Sequence, residues 1–261
     1  MKNIFLLSLF FLSIACSKTQ VEAEKANCKI TEATFSTTKK LRFEYDGERI
    51  KKVTYFISGY VYDINLVYDN SGRLSATEWF RDGVVINNES FTYSGDKISR
   101  VDYLYTDGYD GFNELEYNAA GQITKFTYDN EGATRVPYYT FDYDSNGSLI
   151  KTEHFGLDGD LVLRKIVKPM NLVKSPESLI ISAGMPYDLF YGLPFKSVLG
   201  GDGTIIETYY PNSDGDLELF TTGVVSESNV SSSNYLESYL ATVTGGSSFT
   251  NSTKYTLEGC N

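Results

Sequence analysis

The chain has 261 residues, of which 41% are hydrophobic and 22% are charged, proportions typical of a folded protein with room for one β domain. Its net charge of -11 makes nucleic acid and anionic lipid surfaces unfavourable partners. Aromatic residues make up 15%, and the chain contains 21 Tyr and 22 Gly, which favours strands joined by tight turns over helices.

The first 15 residues have the pattern of a signal peptide. Lys2 supplies a positive charge, and residues 4–11 form an apolar core that is too short to span a bilayer. The leader ends in Ser13-Ile14-Ala15-Cys16, with small residues before a cysteine, and so resembles the lipobox of bacterial lipoproteins. Ser13 stands where leucine is commonest in that motif. The resemblance implies that Cys16 carries the lipid; an ordinary secretory signal is the alternative.

The next segment, residues 16–27, is rich in small and charged residues and has little to bury. We therefore expect a flexible tether between the lipid and the folded domain.

Two further cysteines, Cys28 and Cys260, stand at the extremes of the remaining chain. In an exported protein an even pair suggests a disulfide, although free thiols remain an alternative when only the sequence is considered.

Five similar hairpin units follow the tether. Each contains an aromatic strand end, a turn that closes on glycine, and a new strand that begins with an aliphatic residue, as in Tyr68-Asp69-Asn70-Ser71-Gly72-Arg73-Leu74. The leading tyrosines of the five units are Tyr45, Tyr68, Tyr93, Tyr117 and Tyr143. Their spacing of 23 to 26 residues predicts an array of β-hairpins over about residues 41–155.

The outgoing strand of each unit has apolar positions that an ideal strand cannot place together. Ile50, for example, is followed three residues later by Val53. Because residues an odd number apart lie on opposite faces, these strands either contain a β-bulge or use both faces. We predict a long, twisted antiparallel sheet with tyrosines exposed on one side.

The repeat rhythm ends near Lys165. Ser175 and Pro176 have the pattern of a helix N-cap and first helical residue, and Gly184 would end a short helix. We expect a helical or loop insertion over about residues 168–199 that closes off the sheet, and strands again over about 203–260. Residues 28–261 would thus form a single β domain.

The motif Tyr68-Asp69-x-x-Gly72-Arg73-Leu74 is similar to the YD repeat of the RHS family, whose β-hairpins build large shells and spiralling sheets. The layout also looks like that of repeat-bearing lipoproteins of unknown function from Bacteroidota-type envelopes. The resemblance implies an all-β fold, a twisted antiparallel sheet of YD-like hairpins with a short insertion, and a place in the bacterial cell envelope, most simply the outer membrane. It transfers no active site, and five units are too few for the closed cocoon of long family members.

A second row of positions, five residues after each leading aliphatic residue, is the candidate binding face. It comprises Tyr55, Trp79, Tyr103, Tyr128 and His154. Such rings offer flat amphipathic area that can stack on sugars or receive a partner's side chains. The alternative is that they are cross-strand pairs that stabilise the sheet. His154 is the one histidine, so a Ser-His-Asp site would require it, but its place in this aromatic row favours packing.

One turn has the ligand spacing of a calcium-binding loop, with Asp142, Asp144, Asn146 and Glu153 at positions one, three, five and twelve. An EF-hand requires flanking helices, and the flanking sequence here has strand rhythm. We therefore expect a solvated acidic turn without metal, with calcium as the alternative.

These patterns predict a non-enzymatic envelope protein, without catalytic residues or cofactor, that binds a polysaccharide or an envelope protein through the aromatic face. Its membrane contact would be the N-terminal lipid, and the oligomeric state is left open. One alternative is a glycoside hydrolase, which would need two carboxylates in an apolar cleft. The other is a structural or assembly subunit of an envelope complex.

Overall fold

The structure, a computed structural model, describes residues 28–130, 136–182, 198–246 and 248–260. The predicted leader, the lipidated Cys16, the tether and the proposed helix end at Gly184 lie outside the described residues.

The described residues form eighteen strands and one short helix. In the first half of the chain the strands are β1 (Lys29–Ser36), β2 (Lys39–Asp46), β3 (Arg49–Ile57), β4 (Tyr60–Tyr68), β5 (Leu74–Arg81), β6 (Val84–Ser94), β7 (Lys97–Tyr105), β8 (Asp110–Tyr117), β9 (Ile123–Asn130) and β10 (Tyr138–Tyr143). The remaining elements are β11 (Leu149–Phe155), β12 (Leu161–Lys168), β13 (Leu172–Lys174), α1 (Glu177–Ser182), β14 (Val198–Gly200), β15 (Ile205–Pro211), β16 (Leu217–Val230), β17 (Leu236–Gly245) and β18 (Phe249–Glu258).

Sixteen of the described strands form one closed antiparallel barrel, in the order β1-β18-β17-β16-β15-β12-β11-β10-β9-β8-β7-β6-β5-β4-β3-β2. The prediction of an open twisted sheet is therefore wrong, although the fold is all-β. The five repeat units supply β2 to β11, and six further strands complete the circle. The barrel closes because the C-terminal strands continue the same sheet until β18 pairs with β1.

The connections divide between the two ends of the barrel. The turns inside the repeat units, such as that between β4 and β5, lie at one end together with the insertion after β12 and the two cysteines; we call this the repeat end. We call the other end the rim. Its turns include residues 37–38, 58–59, 82–83, 106–109, 156–160 and 212–216.

Each repeat unit contains a bulge directly after its turn, which is the first of the two alternatives for the outgoing strand. Tyr45 pairs with Ile50 while Glu44 pairs with Lys52, so one residue between them has no partner. The same shift occurs beside the leading tyrosines of the other units. Because the extra residue resets the alternation, Ile50 and Val53 both lie on the inner face, each with 0% of its surface exposed.

The seam of the barrel copies a repeat unit. Leu257 of β18 pairs with Ile30 of β1, and the pairing then shifts so that Thr31 is a bulge residue. The disulfide between Cys28 and Cys260 joins the two strands where a repeat unit has its turn. This confirms the predicted bridge and makes the two strands the equivalent of a sixth hairpin.

The leading tyrosines fasten each hairpin to the preceding one and are half-buried on the inner face. Each hydroxyl donates to the backbone carbonyl of the leading aliphatic residue one unit earlier. These bonds are Tyr45 to Ile30 (2.8 Å), Tyr68 to Ile50 (2.7 Å), Tyr93 to Leu74 (2.8 Å), Tyr117 to Ile98 (2.7 Å) and Tyr143 to Ile123 (2.9 Å). Burial raises the pKa of Tyr68 and Tyr143 to about 12, so both remain neutral donors. These tyrosines are structural. The prediction that tyrosines are exposed on one side of the sheet is wrong for these five.

The insertion reaches the inner face through α1. The amide of Ser178 donates to the carbonyl of Ser175 (3.1 Å), and Ser175 and Pro176 are fully buried, so the helix starts where the sequence predicts. Ile180 packs in the same core cluster as Ile30 and Tyr255. α1 therefore contributes to the core of the barrel.

The outer face of the repeat strands carries ion pairs. Examples are Lys52 with Asp63 (3.1 Å) and Arg100 with Glu114 (3.0 Å). Such cross-strand pairs between exposed charges each contribute about 0 to 1 kcal/mol to stability. Among the described residues there is no helix long and apolar enough to cross a membrane.

Candidate functional site on the inner face

All five residues of the predicted binding face lie on the inner face of the barrel. Tyr55 is buried in the core with only 7% of its surface exposed, and its ring lies 6.2 Å from that of Tyr62. Trp79, Tyr103, Tyr128 and His154 are half-buried. The rings thus line the interior and not an open sheet, because closure of the barrel encloses the face that carries them.

One group of rings centres on His154. This ring stacks on Tyr139 at 4.4 Å between centroids and 14° between planes, and its Nε2 lies 3.0 Å from the hydroxyl of Tyr128. Burial lowers the pKa of His154, so the imidazole is neutral at pH 7. The group is a continuous aromatic stack, in which His154 takes the position that tyrosine or tryptophan occupies in the other repeat units.

A second group of rings lies nearer the rim and consists of Tyr103, Tyr105 and Tyr109. Tyr105 meets Tyr109 at 5.6 Å and Tyr103 at 5.8 Å, both edge to face. Tyr103 pairs across the sheet with Gly111, and its hydroxyl donates to the backbone carbonyl of Asp129. A Cβ at position 111 would lie 2.5 Å from the Tyr103 oxygen, so the ring can cross β8 only because this residue is glycine.

The carboxyl group of Glu89 lies beside this second group, and the sequence analysis did not identify it. Glu89 pairs across the sheet with Thr77 and Tyr103. The hydroxyl of Thr77 donates to Glu89 Oε2 (2.6 Å), and the amide of Asn87 donates to Oε1 (3.4 Å). The indole N–H of Trp79 donates to the same Thr77 hydroxyl (3.2 Å). We call Glu89, Asn87, Trp79 and the second group of rings the inner site.

Burial raises the pKa of Glu89 to about 7, while hydrogen bonds from Thr77, Trp79 and Asn87 act in the opposite direction. The carboxyl group is therefore divided between its charged and neutral forms at neutral pH. Burial also raises the pKa of Tyr105, and the nearby Glu89 carboxylate adds to this effect.

The sequence holds one signal for this residue. Glu89 stands four residues before the leading Tyr93, a position occupied by Leu41 and Ile64 in the two preceding units. The two following units have Asn113 and Tyr139 there, so Glu89 is the one charged residue at this repeat position. A buried charge of this kind is a common feature of functional sites.

The inner site reaches the rim through Tyr105, which has 38% of its surface exposed. Exposed apolar side chains are concentrated at this end, among them Tyr60, Val84, Leu104, Phe220 and Phe249. The rings of the inner site can stack on the apolar face of a sugar, while its carboxyl and amide oxygens can accept hydrogen bonds from the ligand.

A glycoside hydrolase of the usual kind needs two carboxyl groups at the reacting bond. The inner site supplies Glu89 as one carboxyl group, together with the rings and the Asn87 amide that give it the groups for binding a ligand.

The acidic turn with calcium-like spacing does not bring its side chains together around one point. Asp144 Oδ1 accepts hydrogen bonds from the amides of Asn146 (2.9 Å) and Ser148 (2.8 Å), which shapes the turn. Asp142 pairs with Lys151 at 2.7 Å, and Glu153 pairs with Arg164. Within the described residues there is no group of three or more side chains placed to hold a metal ion.

No protein-family model matches the chain, and a search of curated proteins finds no match. Among solved structures, the chain is similar to a porin-like protein from Bacteroides uniformis, with 14% identity and a TM-score of 0.36 over 88% of this chain and 98% of that one. It is also similar to a TcdB2-TccC3 structure, with 12% identity and a TM-score of 0.21 over 80% of this chain and 15% of that one. Neither TM-score reaches 0.5, and neither likeness indicates what this chain binds or does.

Proposed function

We propose that this chain is a lipid-anchored protein of the bacterial envelope that binds a saccharide at the inner site without catalysing a reaction. The observation that carries the proposal is the grouping of Trp79, Tyr103, Tyr105 and Tyr109 around the Glu89 carboxyl group at the rim side of the barrel. Rings beside buried polar acceptors are the chemistry by which proteins bind sugars, since one sugar face is apolar and its edge carries hydroxyl donors.

The envelope location is supported by two features of the chain. The leader resembles that of bacterial lipoproteins, and the Cys28–Cys260 disulfide requires an oxidising compartment to persist. The YD-like repeats favour the same location, because they resemble those of envelope lipoproteins.

A saccharide is favoured over a protein as the occupant because the rings line the inside of a closed barrel. A folded partner needs about 800 Å² of accessible surface on each side, which an enclosed face does not offer. A glycan chain can enter from the rim, where Tyr105 is exposed.

The test is a glycan array probed with the full chain purified in detergent, followed by titration of the hits. The chain has one tryptophan, Trp79, so its fluorescence reports directly on the inner site. We expect Tyr105→Ala to lose binding and Tyr60→Ala to keep it, because Tyr60 is also an exposed rim tyrosine but does not belong to the inner site. Absence of any glycan hit, or equal loss in both variants, would contradict the proposal.

A further inference from the structure

The Glu89 carboxyl group has no cation beside it within the part of the chain that the structure describes. Its hydrogen-bonding partners there are the neutral side chains of Thr77, Asn87 and Trp79. Several carboxylates of the outer face do have a cation beside them, as Glu116 shows by pairing with Lys125 at 3.3 Å. A buried carboxylate without a counter-ion is costly, so a cation in the ligand would be strongly favoured there.

A second acceptor lies next to this carboxyl group. Asn87 has only 3% of its surface exposed, and its Oδ1 atom has no hydrogen-bond partner. Its amide nitrogen is turned to Glu89 Oε1 at 3.4 Å. A buried carbonyl oxygen without a donor is rare in folded proteins, because its desolvation is not offset. Asn87 Oδ1 would therefore be stabilised by a hydrogen-bond donor from outside the described residues.

The surrounding rings also favour a positive charge. Tyr103 and Tyr105 meet at an interplanar angle of 80°, and Tyr105 and Tyr109 at 63°, so ring faces are presented in more than one direction. The face of an aromatic ring attracts a cation through its quadrupole, and the attraction grows when the cation is desolvated. An ammonium group combines this charge with three donors, which suit one carboxylate and one amide oxygen.

We infer that the saccharide bound at the inner site carries a free, protonated amino group, held by the Glu89 carboxylate and Asn87 Oδ1 among the tyrosine rings. This inference rests on the proposed function and specifies its ligand class as an amino sugar. N-acetylation removes the charge and two of the donors, so an acetylated sugar of the same length should bind more weakly.

The test compares a glucosamine tetramer with an N-acetylglucosamine tetramer, titrated into the full chain with Trp79 fluorescence and calorimetry. We expect the free amine to bind at least tenfold more tightly, the range expected for a hydrogen bond to a charged group in a protein. Glu89→Gln keeps the shape of the side chain and should reduce this preference to less than threefold. Asn87→Ala should also reduce the preference for the free amine over the acetylated sugar.

The control variant is Glu116→Gln, which removes one negative charge from the outer face. The chain has a net charge of -11 and attracts any cationic sugar, but that general attraction falls equally in Glu116→Gln and Glu89→Gln. Equal effects of these two substitutions would overturn the inference. Binding of the acetylated tetramer by Glu89→Gln shows that this variant is folded.

The remaining outcomes separate the inference from the proposed function. If both tetramers bind equally well and Tyr105→Ala abolishes both, the proposed function holds and the amino-sugar inference fails. If neither these tetramers nor any array glycan binds, both fail.

Discussion

Replacement of Glu89 by glutamine should change how the stability of the barrel depends on pH. Burial raises the pKa of Glu89 from 4.5 to about 7 in the folded chain. Because the folded state then holds this proton more tightly than the unfolded state, the side chain contributes most below pH 4.5, and its contribution is lost as pH rises through 7. A shift of this size corresponds to about 3 kcal/mol, at 1.36 kcal/mol for each pH unit.

The assay is urea denaturation followed by circular dichroism at pH 4.5 and pH 8, for the wild-type chain and Glu89→Gln. Other groups titrate over this range, so the relevant quantity is the change with pH of the stability difference between the two proteins. We expect the wild type to lose about 3 kcal/mol more than Glu89→Gln, while Glu116→Gln should follow the wild type. A difference between wild type and Glu89→Gln that stays constant within 1 kcal/mol would refute the account of a buried carboxyl group.

Three further substitutions test the barrel itself. Tyr117→Phe removes the hydroxyl that bonds to the Ile98 carbonyl and should cost about 1 to 2 kcal/mol in denaturant unfolding, with no change in far-ultraviolet circular dichroism. Gly111→Ala should cost more than 2 kcal/mol because its methyl group meets the tyrosine ring that crosses it; unchanged stability would contradict this packing. Cys28→Ala combined with Cys260→Ala should lower the free energy of unfolding by about 5 kcal/mol, the chain-entropy value for so long a loop. Reduction should change the electrophoretic mobility of the wild-type chain but not that of this double variant.

The candidate site was accessible from the sequence only in part. The aromatic row was found because it repeats at a fixed offset from the leading aliphatic residues, and the register of each hairpin is set locally. Glu89 was missed because the repeat comparison followed the outgoing strands, whereas this residue lies on an incoming strand. Its significance depends on Thr77 and Asn87, which reach it only through strand pairing.

The hairpins and their turns were determined by the sequence alone, whereas for the outgoing strands the sequence left a β-bulge and the use of both faces as alternatives. A turn such as Asp69 to Arg73 is specified by residues a few positions apart, and the same short-range pattern recurs in each unit. The carboxylate of Asp69 accepts hydrogen bonds from Ser71 and Arg73, and these hold its pKa below the usual range.

Closure of the barrel, and hence the side of the sheet that became the interior, was decided by tertiary structure. The seam pairs Ile30 with Leu257, at opposite ends of the chain. The predicted Cys28–Cys260 bridge indicated that these ends meet, but not that their strands pair and close the sheet. The same twisted hairpin array can remain open or close, depending on whether later strands continue the sheet until its edges meet. Closure removes both sheet edges and buries the aromatic face, and this burial converts a row of rings into an enclosed site around Glu89.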